Sequence, residues 1–502
     1  MLDRTELALL SAEALLRLIR GREVSCREVV EATLAQIDRF NGPLNAFALV
    51  DLDGALAAAD AADRLLRSGG EIGPLHGVPF TVKDLIDTAG VETAFGSQLM
   101  QGNVPSRDAV CVRRMKDAGA ILLGKTTTPE FAGSVLTESI RYGVTRNPWD
   151  AEYSSGGSSG GSGVAVASGF GPLSLATDGA GSARIPASCC GVLGLKPTLG
   201  RIPHELAPDL FGNFTHMGAM TRTVGDLALM LNAMSGPHSG DPWSVGRGWP
   251  AVTVPNAQDI DLKPQRALYF DRIGNPLLAR QTAEFCEHAL NTLGNLGLGV
   301  DAHTGDVDWG IDASRTIMRG LMSARMARFS AADRKRMGPS MQASIIEGEK
   351  VAAEAMKTAP ILRSQLFRQV EGLLRQHDLL ISPTLSGPPP KTDENPIGEY
   401  HVDGQPVGDL RSGWFTYPTP FNLTGHPAIS IPIGLTEEGL PVGLHAVAHW
   451  GREQDLMDLA AALSHHYRWE DVWPPFLEAR ASKDVGVVQP SRLAIVSSKL
   501  PH

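Results

Sequence analysis

The chain is poor in cysteine, in long apolar runs and in excess positive charge, and each shortage removes a class of protein. Its five cysteines (Cys26, Cys111, Cys189, Cys190 and Cys286) are odd in number and scattered over 502 residues, so no disulfide framework is expected and a reducing compartment suits them. The neighbours Cys189 and Cys190 read as small buried apolar residues, not as a redox or metal pair. No stretch supplies the roughly 20 predominantly apolar residues of a membrane helix; the uncharged run 153–177 is mostly serine and glycine. In "MLDRTELALLSAEALLRLIRG" the charges of Asp3, Arg4 and Glu6 interrupt any signal-peptide core. The expectation is a soluble cytoplasmic protein with no membrane association. With 45 Lys and Arg against 55 Asp and Glu, a formal charge of −10, the chain lacks the basic surplus that binding a polyanion draws on, so no nucleic-acid partner is expected. A hydrophobic content of 43% with 20% charged residues fits a globular protein. Neither an internal repeat nor a clean linker divides it, which favours one continuous large domain.

Periodicity then orders the elements. Apolar residues recur at helical spacing from Ser11 to Phe40, and Ser25-Cys26-Arg27-Glu28 is a capping-box pattern that opens a second helix. "DGALAAADAADRLLRSGG" is a third amphipathic helix ending on paired glycines. A short apolar strand over 78–82 runs directly into Lys83 and Asp84, and is followed by a helix ("AVCVRRMKDAG") and a strand ("AILLGKT"). This alternation is that of an α/β domain. "GPLSLATDGAGSARIPAS" reads as strand, turn and short helix, and "GVAVASG" as a small-residue segment suited to tight packing. A strand-helix-strand unit follows from "QRALYF" to "LGVDA". Residues 312–376 are largely helical and carry Met318, Met322, Met326, Met337 and Met341, as core filler or as a flexible substrate-facing wall. Strands return at "DLLISPT", "AISIPIG" and "PVGLHAVA", then a helix at 453–465. The polar, proline-bearing excursion 387–412 is expected to form a lid or rim.

Three familiar patterns fail on context. "GAILLGKT" (119–126) matches the phosphate-loop pattern, but its variable positions are the apolar residues of a buried strand. "GGSSG" (156–160) satisfies the nucleophile-elbow pattern, yet no apolar strand precedes it. "HAVAH" (445–449) has zinc-ligand spacing for a helix, but in a strand its two histidines stand about 13 Å apart, too far for one metal.

Three other segments belong together: "PFTVKDLIDTAG", "SSGGSSGGSGVAVASG" and "PLSLATDGAGSARIPASCCGVLGLKPTLGRIP". Lys83 lies 75 residues before Ser158, which lies 24 before Ser182. With "FNLTGHPAISIPIG" near the end, these motifs resemble the amidase signature family in order and spacing over about residues 5–475. The resemblance implies one large α/β domain, a mixed central β-sheet covered by α-helices on both faces. It would span 1–482, with N-terminal helices over about 5–70, a catalytic core over 71–235, a helical pocket region over 305–376 and a peripheral tail over 483–502. Position by position, it implies Ser182 as nucleophile, Ser158 as the bridging serine after a cis bond from Gly157, and Lys83 as the base. Ser159, Asp178 and Arg184 match supporting positions. The chemistry gives these residue types a reason. A serine hydroxyl is a weak nucleophile until a neighbouring base takes its proton, and a lysine kept neutral by burial can serve. Backbone N–H groups of Gly179, Ala180, Gly181 and Ser182 are expected to form the oxyanion hole that the tetrahedral intermediate needs.

The implied activity is hydrolysis of the C–N bond of a small, hydrophobic or aryl amide through a serine acyl-enzyme. Carbamate or ester hydrolysis by the same triad, and the glutaminase role within a tRNA-dependent amidotransferase, are the alternatives. After "GKT" the amidotransferase glutaminase reads Asn-Met-Asp-Glu-Phe where this chain has "TTPEF", Thr127 to Phe131, which favours a free-standing amidase. Pocket candidates are Phe131, Met322, Met326, Trp414, Phe415, Tyr417 and His445. The small Ala183 after the nucleophile is expected to widen the adjoining wall. The partners implied are the amide and water, a homodimer being left open, and no metal or organic cofactor is implied.

Overall fold

Alternation along the strands decides which way each side chain points, and so where the site lies. In a computed structural model, which describes residues 4–256 and 259–477, eleven strands form one sheet: β1 (Phe47–Val50), β2 (Pro79–Lys83), β3 (Ile121–Thr126), β4 (Leu173–Asp178), β5 (Leu193–Lys196), β6 (His216–Thr221), β7 (Arg266–Tyr269), β8 (Gly299–Ala302), β9 (Leu379–Pro383), β10 (Ala428–Leu435) and β11 (Pro441–Ala448). Their spatial order is β1-β3-β2-β4-β6-β5-β10-β11-β9-β7-β8. The trio β3-β2-β4 is parallel, β4-β6-β5-β10-β11-β9 is antiparallel throughout, and β9-β7-β8 is parallel again. The sheet is mixed, as the resemblance implies.

Each face carries its own apolar layer. Phe80 and Val82 of β2, Leu122 of β3 and Leu175 of β4 join residues of helices Val110–Asp117, Val224–Met234, Arg280–Asn295 and Glu453–Tyr467. Ile121 and Leu123 of β3 and Ala176 of β4 join helices Cys26–Leu44, Leu52–Arg67, Gly160–Ala167 and Arg184–Cys190 on the other side. Burying two faces of a long sheet removes it from water at roughly 25 cal/mol per Å² of apolar area, and it makes the central strands almost wholly buried.

Local details follow the sequence closely in the N-terminal half. The Ser25–Glu28 capping box is present. β2 ends on Lys83 itself, one residue later than the alternation suggests. "GGSGVAVA", whose small residues were expected to pack tightly without being assigned an element, is a helix, Gly160–Ala167, every residue of it buried. Its glycines are there for contact. A Cβ on Gly161 would lie 2.4 Å from the Thr127 amide nitrogen, so only glycine lets this helix sit against β3. The segment 387–412 contains a small hairpin, His401–Val402 with Gln405–Pro406, and a short helix Leu410–Gly413. The tail expected over 483–502 lies outside the described residues. Among the described residues no helix is long and apolar enough to cross a membrane.

Candidate active site

Because β2 and β4 are parallel neighbours in register (Val82 opposite Leu175), their carboxyl ends deliver Lys83 and Thr177-Asp178 to the same edge. Ligand sites of α/β sheets characteristically lie at this edge. The Ser/Gly run crosses over it through the cis peptide between Gly157 and Ser158. Lys83 Nζ stands 2.7 Å from Ser158 Oγ, 2.8 Å from Ser159 Oγ and 3.0 Å from Thr177 Oγ1. Ser159 Oγ donates to the Thr177 carbonyl at 3.2 Å, and its N–H donates to the Ser182 carbonyl at 3.2 Å. Ser159 therefore ties the lysine, the strand end and the loop that holds Ser182 together.

Lys83 has no accessible surface. Its burial holds the ammonium well below lysine's ordinary range, and the opposing pull of the Asp178 carboxylate does not restore it. Desolvation is what lowers it, and its side-chain contacts are hydroxyls.

From Ser154 to Pro203 every residue is buried except Thr177, Gly179 and Ser182. Those three mark where the site opens. Asp178 shapes the loop between them: its carboxylate accepts from Gly181 N–H at 2.7 Å and Ala183 N–H at 3.2 Å, and from Arg184 Nε and Nη2 at 3.0 and 2.9 Å. Burial alone would raise this carboxyl, but the Arg184 guanidinium, aided by Lys196 and Asn422, outweighs it and holds the group well below the carboxylate range. The oxyanion set expected from sequence is thereby narrowed. Gly181 N–H is committed to Asp178, whereas the N–H groups of Gly179, Ala180 and Ser182 have no acceptor among the described residues.

Arg184, fully buried, also donates to the Pro418 carbonyl at 3.0 Å, to Asn422 Oδ1 at 2.6 Å and to His445 Nε2 at 2.9 Å. Burial and the Arg184 charge push the His445 imidazole well below its usual range. The ring is neutral and accepts through Nε2, which leaves the proton on Nδ1, 3.5 Å from Ser382 Oγ. His445 is thus behind the loop and braces it, and is corrected from pocket edge to support. Asn422 completes the brace, donating to the Asp178 carbonyl at 2.8 Å and to its Oδ1 at 3.0 Å. Sequence reasoning took in the Asn422 motif without singling the residue out, and missed Thr177 likewise. An asparagine inside an apolar "FNLTGHPAISIPIG" run was the available signal.

Other expected pocket residues divide. Met322 lines a cavity of about 320 Å³ together with Met318, Ser134 and Val135. Phe131 and Met326 are buried in an apolar cluster with Met337, Met341 and Ile345, against which Met322 also packs. Trp414, Phe415 and Tyr417 are core residues: Trp414 Nε1 donates to the Pro388 carbonyl at 3.1 Å, and Tyr417 O–H to the Asp271 carbonyl at 2.8 Å. Buried aromatics with satisfied polar ends are packing elements. Ala183 is corrected too. It is buried with its Cβ toward β6, where a Cβ on Gly218 would lie 2.9 Å away, so its small size serves sheet packing.

A family model described as amidase matches residues 28–457. An acylamidase of Rhodococcus erythropolis is 34% identical over 476 residues, covering 93% of this chain and 97% of that protein. A glutamyl-tRNA(Gln) amidotransferase subunit of Cutibacterium acnes (strain DSM 16379 / KPA171202) is 32% identical over 494 residues, covering 92% and 97%. The crystal structure of a bacterial aryl acylamidase of the amidase signature family superimposes with a TM-score of 0.85 at 26% identity, covering 95% of this chain and 99% of that one. An α/β protein with these relatives, and with a buried lysine among serines at the carboxyl edge of its sheet, is a hydrolase acting on the carbon–nitrogen bond of amides. The chain belongs to the amidase signature family.

Proposed function

We propose that the protein hydrolyses small amides with an apolar or aryl portion, through an acyl-enzyme on Ser182. The observation that carries this reading is Lys83: buried without accessible surface, depressed in basicity by burial and in contact with three hydroxyls. A neutral amine has two hydrogens and one lone pair. Ser159 Oγ already donates to the Thr177 carbonyl, so it accepts from Nζ, as does Thr177 Oγ1. The Nζ lone pair is then left for the Ser158 O–H. Ser158 Oγ in turn accepts the Ser182 proton as Ser182 Oγ attacks the amide carbon. The carbonyl oxygen gains the negative charge, which the free N–H groups of Gly179, Ala180 and Ser182 stabilise; one such donor is worth about 3–4 kcal/mol in the transition state. The lysine's proton returns through Ser158 to the leaving nitrogen. Water then repeats the attack on the acyl-enzyme, releasing the acid and restoring Ser182.

The substrate class is supported by the methionines of the adjoining cavity and by the acylamidase and aryl acylamidase relatives. A panel of anilides, primary amides, carbamates, esters and glutamine tests it. Anilides are expected to give the highest kcat/KM. Glutamine as the best substrate would instead favour the amidotransferase glutaminase role, which the 32% identity to the Cutibacterium acnes protein keeps as the second reading.

The lysine sets the expected pH dependence. The acid limb of kcat/KM is expected to fall well below pH 10, because burial lowers the lysine from its free value of about 10.4. Activity rises with pH through that limb as the ammonium loses its proton, and in Lys83→Ala the limb should vanish. That variant should also lose amide cleavage at least tenfold more than ester cleavage, since an amine leaving group depends on proton return, a step commonly worth about 10²–10⁴-fold. Equal residual rates on matched amide and ester would remove Lys83 from that role.

A further inference from the structure

The cavity lined at one end by Ser134 and Val135 has a charged far wall. Helix Ile311–Met326 faces it with Arg315, Met318, Arg319 and Met322, the i, i+3, i+4, i+7 set of one helical face. Helix Pro339–Glu349 faces it with Ser340, Ala343, Ser344 and Glu347 in the same spacing. The 387–412 excursion closes the remaining side with Asp409 and Arg411. At the near end Val135 packs on the residue before Ser158: a Cβ on Gly157 would lie 2.8 Å from the Val135 carbonyl carbon.

Charge in this cavity is unbalanced. Three arginines face two carboxylates, and both carboxylates have other partners. Asp409 caps helix Leu410–Gly413, accepting from Ser412 N–H at 2.8 Å. Glu347 pairs with Lys350 at 2.6 Å and stands 3.6 Å from Arg319. Among the described residues Arg315 forms an ion pair with Asp312 alone, at 3.5 Å, a carboxylate 95% exposed to solvent, and such pairs contribute little. Among the described residues Arg411 is the one of the three with no carboxylate at ion-pair distance. Among the described residues its guanidinium donates only to the Gly133 carbonyl, at 3.4 Å, and lies 5.8 Å from the Phe415 ring. Burial and the neighbouring arginines act against its charge, with Asp409 in partial compensation. A planar guanidinium has five N–H donors in a fork that matches a carboxylate.

We infer that this cavity receives a carboxylate carried by the substrate at the end remote from the scissile amide, with Arg411 as its main ligand, Arg315 and Arg319 beside it, and Met318 and Met322 flanking the apolar spacer. The inference rests on the reading of Ser182 as the nucleophile of an amide hydrolase. It narrows the substrate class to amides whose apolar portion ends in an anion.

Matched 4-nitroanilides test it: butyryl, valeryl and hexanoyl against succinyl, glutaryl and adipoyl, with valeryl anilide against valeryl 4-aminobenzoate for an anion on the amine half. At one length or on one half, the carboxylated member should have a kcat/KM about 10-fold or more above its neutral partner, the range of a charge-assisted hydrogen bond, chiefly through KM. The preference should shrink with added salt. Arg411→Gln should bring the ratio to near one, and Arg315→Gln should lower it less. If the wild type cleaves neutral anilides and shows no preference in any pair, the inference is wrong and the amidase reading stands. If it cleaves neither kind, that reading fails; calorimetry of glutarate against valerate binding to Ser182→Ala then decides the anion site, equal affinities overturning it.

Discussion

Ser182→Ala is expected to lower kcat on the best anilide by about 10⁴–10⁶-fold, the range seen when a serine nucleophile is removed from a hydrolase that keeps its oxyanion donors. The effect should be catalytic alone. Ser182 is partly exposed at the mouth of an otherwise buried stretch, and its side chain has no hydrogen bond among the described residues. Its loss should change the free energy of unfolding by no more than about 0.5 kcal/mol. Ser158→Ala should approach the same loss of turnover, because without its hydroxyl the path to Lys83 Nζ, 2.7 Å beyond, is broken. Ser159→Ala removes a contact that orients the lysine but none that carries the proton, so its loss should be smaller. Hydrolysis of a 4-nitroanilide, followed by absorbance, ranks the three; full turnover by Ser182→Ala would contradict the mechanism.

Arg184→Met is expected to cost stability as well as rate. Its guanidinium binds Asp178 twice and reaches Pro418, Asn422 and His445, all without accessible surface at either charge. Removing one member of a buried ion pair leaves the other uncompensated, which costs about 3–5 kcal/mol. In response the Asp178 carboxyl should take up a proton, loosening its hold on Gly181 and Ala183 N–H and with it the loop that aims Ser182. The denaturation midpoint should therefore fall together with kcat. Arg184→Lys should not rescue it, since a single ammonium cannot reproduce the planar fork. An unchanged midpoint and rate in Arg184→Met would show that the ion pair does not set the loop.

Eight of the eleven sheet strands and most helices were legible because their patterns are local: apolar alternation in β2 and β3, a capping box at Ser25, small residues after Asp178; β1, β5 and β6 were not read. Helix Gly160–Ala167 was not, since a Ser/Gly run has linker composition and its helicity is imposed by burial against β3. At the site, the resemblance of three motifs to the amidase signature family brought Lys83, Ser158 and Ser182 to notice. It gave no view of Thr177 and Asn422, which join the network only through neighbouring elements. The aromatic candidates misled for the converse reason. In "GWFTYPTPFN" the same residues that suit an apolar pocket suit a core, and which of the two they serve is fixed by what packs on them. The cavity's arginines were invisible as a site because two lie on one helix and the third stands about 90 residues later, in the 387–412 excursion.

Trapping the acyl-enzyme tests the central claim most directly. Turnover of a slowly deacylated anilide or ester is quenched in acid, and the protein is digested and analysed by mass spectrometry. The account predicts an added acyl mass on the peptide holding Ser182, absent from Ser182→Ala. An adduct on Ser158, or acylation that persists in Ser182→Ala, would contradict it.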